Sequence, residues 1–167
     1  QKLKDLLIIL SIVLLIIWVT YFSGSNQQNM EEKNITSSGQ LETAYFAGGC
    51  FWCMEGIFES QNGVDSAVAW YIWGSPESAN YQAVASWVTK HREGVEIRYD
   101  PNQITYWKLV ELFWTQIDPT DDGGQFADRW FQYTTALYYN NEEEKEILET
   151  SKDRVEKSGK FDKKIAT

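Results

Sequence analysis

Hydrophobic positions follow three different patterns along the chain. Residues 6–22, LLIILSIVLLIIWVTYF, form an apolar run of 17 residues with no alternation. At a rise of about 1.5 Å per residue, such a helix reaches most of the way across a bilayer core of about 30 Å. Lys2 and Lys4 precede the run, and no basic residue follows it until Lys33. The positive-inside rule then places the N-terminus in the cytoplasm and the remainder outside. No A-x-A site follows, which favours a retained membrane anchor over a cleaved signal segment and a secreted product. A helix with no polar face suits a buried core helix less well.

Residues 23–41 are rich in Ser, Asn, Gln and Gly and read as a flexible polar linker. From residue 42 to 167 the pattern alternates between strand and helix periods. Residues 43–49, TAYFAGG, read as a short buried strand closed by two glycines. Residues 50–61 place Phe51, Met54, Ile57 and Phe58 at helical spacing. Residues 65–72 predict a second strand, followed by a Gly/Ser/Pro loop. Residues 94–99 alternate, with Val95, Ile97 and Tyr99 against Glu96 and Arg98, and Asp100-Pro101 stops that strand. Residues 105–117 predict an amphipathic helix with Leu109, Leu112, Phe113 and Ile117 inward. Residues 134–139 predict a strand, and Asn140 or Asn141 caps a last helix running to about Gly159. The first six elements of this β-α-β-β-α-β-α order predict an α+β domain: a ferredoxin-like two-layer sandwich, its antiparallel or mixed sheet packed by helices, preceded by one N-terminal transmembrane helix.

A net charge of -9 argues against a nucleic-acid partner, which would need clustered Lys and Arg. Only two cysteines are present, Cys50 and Cys53, too few for a disulfide scaffold. With the single His91 they fall one ligand short of a usual zinc site, so no metal is expected. Reactive thiol chemistry explains them better.

Gly48-Gly49-Cys50 joins a strand to a helix and sets Cys50 at the helix N-terminus. Unpaired N–H groups and the helix dipole there favour a thiolate, the nucleophilic form. Phe51 and Trp52 can wall an apolar pocket, and the same stretch also suits a buried Cys among core aromatics. Cys50 and Cys53 form C-x-x-C, a redox pattern that thioredoxin-like proteins also use. Glu93, placed before the strand of residues 94–99, could be a buried proton donor or an exposed loop charge. Tyr81 and Tyr133 could hydrogen-bond a substrate oxygen, or be core aromatics.

Several segments carry a resemblance: AGGCFWCMEG around Cys50, Asn80-Tyr81, His91-x-Glu93, Tyr99-Asp100-Pro101, IDPTDDGGQFADRWFQY at 117–133, and the ending FDKKIAT. In this order, from about residue 43 onward, the chain resembles the A-type peptide methionine sulfoxide reductases. The resemblance implies that Cys50 attacks the sulfoxide sulfur of methionine-S-sulfoxide, giving methionine and a cysteine sulfenic acid. It implies that Phe51 and Trp52 hold the methyl group and that protonated Glu93 gives its proton to the oxygen. Tyr81 and Tyr133 would orient that oxygen, with Asp128 as a supporting polar group. It implies no cofactor, a thioredoxin-like dithiol protein as reductant, and methionine sulfoxide in proteins or peptides, or free, as substrate. Family members usually continue with a segment that often carries resolving cysteines; within residues 1–167 the candidate for that role is Cys53.

Trp70, Trp73, Trp87 and Trp130 stand where the family has glycine, and Phe131 where it usually has a small residue. Glycine at such places provides positive φ and close backbone approach. A translation table reading UGA as tryptophan, for a lineage that decodes it as glycine, would write tryptophan at these positions. Real tryptophans there would favour a second reading, a catalytically impaired, membrane-tethered binding module of the same fold. A general dithiol oxidoreductase built on C-x-x-C is a third, disfavoured by the other motifs.

Overall fold

The computed structural model describes residues 39–86 and 88–167. The apolar run of residues 6–22 and nearly all of the linker lie outside the described residues. Among the described residues, no helix is long and apolar enough to cross a membrane.

Strand β1 (Glu42–Ala47) opens the domain and stops before Gly48, two residues short of the predicted end. Helix α1 (Phe51–Glu59) takes Cys50 as its N-cap and buries Phe51, Met54 and Phe58, the face that its spacing predicts. Strand β2 (Val64–Ile72) follows a turn and is the outer strand of the sheet beyond β3 (Arg92–Tyr99). Between them lie a 3-10 turn (Pro76–Ser78) and a short helix, α2 (Tyr81–Ala85), which the sequence pattern left as loop. Five residues are too few for a hydrophobic period to show. Helix α3 (Tyr106–Trp114) begins at the Thr105 cap and ends at Thr115, short of the predicted Ile117, which is nonetheless buried. A two-residue hairpin, β4 (Gly124–Gln125) and β5 (Asp128–Arg129), was not anticipated, because neither strand is long enough to alternate. A second 3-10 turn (Phe131–Tyr133) leads into β6 (Ala136–Tyr138), and α4 (Glu142–Lys157) starts at Asn141, whose side chain accepts from the Glu144 N–H.

The main sheet has the order β2-β3-β1-β6, with every neighbouring pair antiparallel. This is the strand order of a ferredoxin-like split βαβ arrangement. Period-two alternation sends Phe46, Ala67, Val95, Ile97 and Tyr99 to one face. There they meet Met54 and Phe58 of α1 and Leu109, Val110 and Phe113 of α3. The rings of Phe58, Tyr106 and Phe113 lie within 6 Å of that of Phe46 in tilted pairs. Burial of such aromatics contributes about 1.5–3 kcal/mol each, so α1 and α3 are held to the sheet by one shared core.

The tryptophans at glycine-like positions divide by backbone. Trp73 (φ 63) and Trp130 (φ 98) lie in the left-handed half of backbone space, as does Phe126 (φ 53). Trp130, with ψ 164, occupies a region that is essentially glycine-only. Trp70 is an extended strand residue, exposed on β2. Trp87 lies outside the described residues.

Candidate active site

Every group in the site is placed by a strand end or by a turn pinned to one. Gly49 has φ 97, and a Cβ on it would come within 2.9 Å of the Gln125 Cβ. Glycine therefore lets the β1–α1 turn lie directly on Gln125, which is buried. The Gln125 amide accepts from the Asp118 N–H (2.8 Å) and donates to the carbonyls of Asp118 (3.0 Å) and Gly124 (2.8 Å). The hairpin bearing Asp128 is thus fixed against the Gly49 turn that precedes Cys50, because Gln125 and Asp128 face each other across it.

Cys50 is half-buried and Cys53 is exposed, both as free thiols. The Cys50 carbonyl accepts from the N–H groups of Cys53 (3.1 Å) and Met54 (3.3 Å), forming the first turn of α1. Burial, then the neighbouring Cys50, then the Asp128 charge push the Cys53 thiol up.

Glu93 lies within β3, as its second residue, rather than in a loop before the strand. Strand pairing with β2 begins at Arg92, two residues earlier than the alternation shows, because Gly94 carries no side chain to mark the period. The carboxyl group is 5% exposed, so the exposed-charge alternative is excluded. One oxygen accepts from the Phe51 N–H at 3.3 Å. Burial raises the Glu93 pKa and outweighs the lowering effect of that bond, with the Asp128 charge raising it further. A buried carboxyl whose pKa is raised, beside the first turn of a helix begun by a cysteine, can act as a general acid.

The remaining predicted residues surround this pair. Phe51 is buried and packs on Trp52 (5.3 Å), itself 67% exposed. Tyr133 sits on the 3-10 turn, its phenol pushed up by burial, then by Glu93, Asp128, Cys50 and Tyr81. That turn is tied to the start of β3: the Arg92 guanidinium stacks on Phe131 at 4.4 Å and donates to Thr134 Oγ1 at 2.8 Å. Tyr81 is exposed at the start of α2. The loop before it is anchored by His91, whose Nε2 lies 3.1 Å from the Ser75 carbonyl and 3.0 Å from Ser78 Oγ. A carbonyl can only accept, so Nε2 carries the ring proton. His91 is buried with Nδ1 unpartnered, and Gly74 rests on its ring.

Tyr71 was not among the predicted site residues. It stands directly opposite Glu93 in the β2–β3 register, and its ring packs on Phe51 at 5.4 Å and near His91 at 6.1 Å. The strand predicted over residues 65–72 contains it, but only the register identifies its neighbour. Among the described residues, no group of three or more His, Cys, Asp or Glu side chains could hold a metal ion.

Residues 42–167 match the family model described as peptide methionine sulfoxide reductase. Over 130 residues the chain is 52% identical to the peptide methionine sulfoxide reductase MsrA of Bacillus velezensis, covering 78% of this chain and 73% of that relative. It is 47% identical over 127 residues to the protein of the same name from Streptococcus agalactiae, covering 76% and 75%. Among solved structures, it is similar to methionine sulfoxide reductase A of Corynebacterium diphtheriae, with a TM-score of 0.66 and 29% identity, over 79% of this chain and 64% of that one. Mxr1 from Saccharomyces cerevisiae in reduced form gives a TM-score of 0.69 at 25% identity, over 81% and 78%.

Proposed function

The chain belongs to the peptide methionine sulfoxide reductase family, and from this premise we propose that it reduces methionine-S-sulfoxide to methionine through a sulfenic acid on Cys50. In the proposed step the Cys50 thiolate attacks the sulfoxide sulfur while Glu93 gives its proton to the sulfoxide oxygen. The oxygen ends on Cys50 as S–OH. Methionine sulfur gains two electrons, Cys50 sulfur loses two, and Glu93 is left as carboxylate. Phe51 and Trp52 receive the methyl group, Tyr81 and Tyr133 orient the oxygen, and Asp128 supports them from the hairpin.

The observation that carries this reading is the Phe51 N–H to Glu93 hydrogen bond. It sets a buried carboxyl with a raised pKa against the helical turn that Cys50 begins. Cys53 is the proposed resolving cysteine, supported by its place one turn from Cys50, whose carbonyl accepts from the Cys53 N–H at 3.1 Å. Its sulfur displaces water from the sulfenic acid to form a Cys50–Cys53 disulfide, which a thioredoxin-like dithiol then reduces. Because Cys50 is the N-cap and not a helix-interior residue, the backbone there can turn to close the bridge. The substrates proposed are oxidised proteins and peptides outside the cytoplasm, with residues 6–22 as a membrane tether.

A single-turnover assay tests the reaction. The reduced protein is mixed with the S or R epimer of an N-acetylated methionine sulfoxide peptide, and methionine is counted per enzyme. About one equivalent from the S epimer alone, lost on Cys50→Ser, supports the reading. Equal yields from both epimers, or survival of the activity in Cys50→Ser, would defeat it.

A further inference from the structure

We propose that Tyr71 is a positioning residue for the reductase reaction: its ring closes the back of the Glu93 carboxyl and holds Phe51 over it. This rests on the reading of Glu93 as the proton donor.

Residues directly opposed in an antiparallel pair share a face, with Cβ atoms about 5 Å apart. Tyr71 and Glu93 are such a pair, on the face that carries the core. The Tyr71 ring is held on two sides. Phe51 lies against it at 5.4 Å and 43°, and His91 beyond it at 6.1 Å and 58°. His91 is itself immobilised by Ser75 and Ser78 and covered by Gly74. The ring therefore spans the space between the residue that caps Glu93 through its N–H and the histidine two positions before Glu93, just ahead of the strand.

Glu93 can keep its proton only while water is excluded from it. Its strand neighbour Gly94 has no side chain and can exclude none, being pressed against Ile72 and the Phe46 carbonyl instead. On the β2 side the neighbouring inner-face position is Ala69, too short to reach across. Tyr71 is the large side chain opposite Glu93 in that strand. The phenol is also pushed up, by burial and then by the charges of Glu93, Tyr81 and Tyr133. The ring supplies the wall, so phenylalanine should replace tyrosine and a short side chain should not.

The test is a pH series on the protein carrying Tyr71→Phe or Tyr71→Val, with Tyr71→Leu as the alternative should Tyr71→Val not fold. Two quantities are read: the single-turnover rate on the S-sulfoxide peptide, and the infrared band of the Glu93 carboxyl, assigned by its loss in Glu93→Gln. Tyr71→Phe should follow the parent in both. In Tyr71→Val the band should be lost at a lower pH than in the parent. Its rate should fall about tenfold further than the parent's between about pH 6 and about pH 8. A band unmoved in a folded Tyr71→Val or Tyr71→Leu protein overturns the proposal. So does a Tyr71→Phe protein whose band moves as far as that of Tyr71→Val. The band reports on Tyr71 without turnover, so a parent that makes no methionine would defeat the enzymatic reading separately.

Discussion

Trp130 allows backbone strain to be measured apart from side-chain packing. Its φ of 98 and ψ of 164 lie in a region essentially reserved for glycine, where any Cβ costs about 1–3 kcal/mol. Replacing it by glycine alone would confuse the relief of strain with the loss of a half-exposed indole. The informative comparison is Trp130→Gly against Trp130→Ala, since both remove the indole and they differ by one Cβ. At an ordinary extended position glycine is the less stable of the two by about 0.5–1 kcal/mol, because it loses more freedom on folding. At Trp130 the relief of strain opposes that loss, and the net is about 1 kcal/mol in favour of glycine. The control is Trp70, an extended residue of β2, where alanine should be the more stable. Urea unfolding of the four variants reads the differences directly, and about 1 kcal/mol corresponds to a shift of some 4 °C in Tm. If Trp130→Ala equals or exceeds Trp130→Gly in stability, the argument from backbone geometry is wrong. With it falls the structural support for glycine at the position. The inverted order would mean that position 130 is built for glycine. Peptide mass spectrometry of the protein from its own cell would then show which residue is made there.

Glu93→Gln should lower the single-turnover rate about 100-fold or more and abolish its decline at high pH, as read from a pH–rate profile. The same variant should be more stable than the parent at neutral pH. A buried acid whose folded pKa is raised costs stability above the ordinary carboxylate range, where the unfolded chain has already lost the proton. Parent stability should therefore fall as pH rises from that range to the raised pKa, and be flat above it; a flat unfolding free energy across that window contradicts the assignment. Cys53→Ser should still yield about one equivalent of methionine but leave a sulfenic acid that dimedone traps on Cys50, whereas the parent should show an intramolecular disulfide by intact mass. Gly74→Ala should destabilise the domain by about 1–3 kcal/mol in urea unfolding, because its Cβ would lie 2.3–2.5 Å from the His91 ring atoms.

The local pattern determined what local physics can. Period-3.6 spacing marked α1 and α3 and period-two spacing marked β3, because burial of one face repeats within each segment. The glycine pair before Cys50 marked a turn into a helix start, and the pair Asn140-Asn141 marked a cap, which the structure assigns to Asn141, since both depend on a few adjacent residues. The ordered motifs from AGGCFWCMEG through IDPTDDGGQFADRWFQY to FDKKIAT together indicated the family that the comparisons then showed. What the tertiary structure decided were the relations between segments. Spacing along β3 left Glu93 outside the strand, and only pairing with β2 drew it in. The same register set Tyr71 across from it, and no pattern within either strand encodes which residue its neighbour will face. Gln125 looked like an ordinary loop polar residue until Gly49 was seen to rest on it. His91 ties the loop before Tyr81 to β3 through bonds that span 13 and 16 residues. Such pairings are set by the packing of distant elements around one core, and their physical cause exists only after the chain has closed.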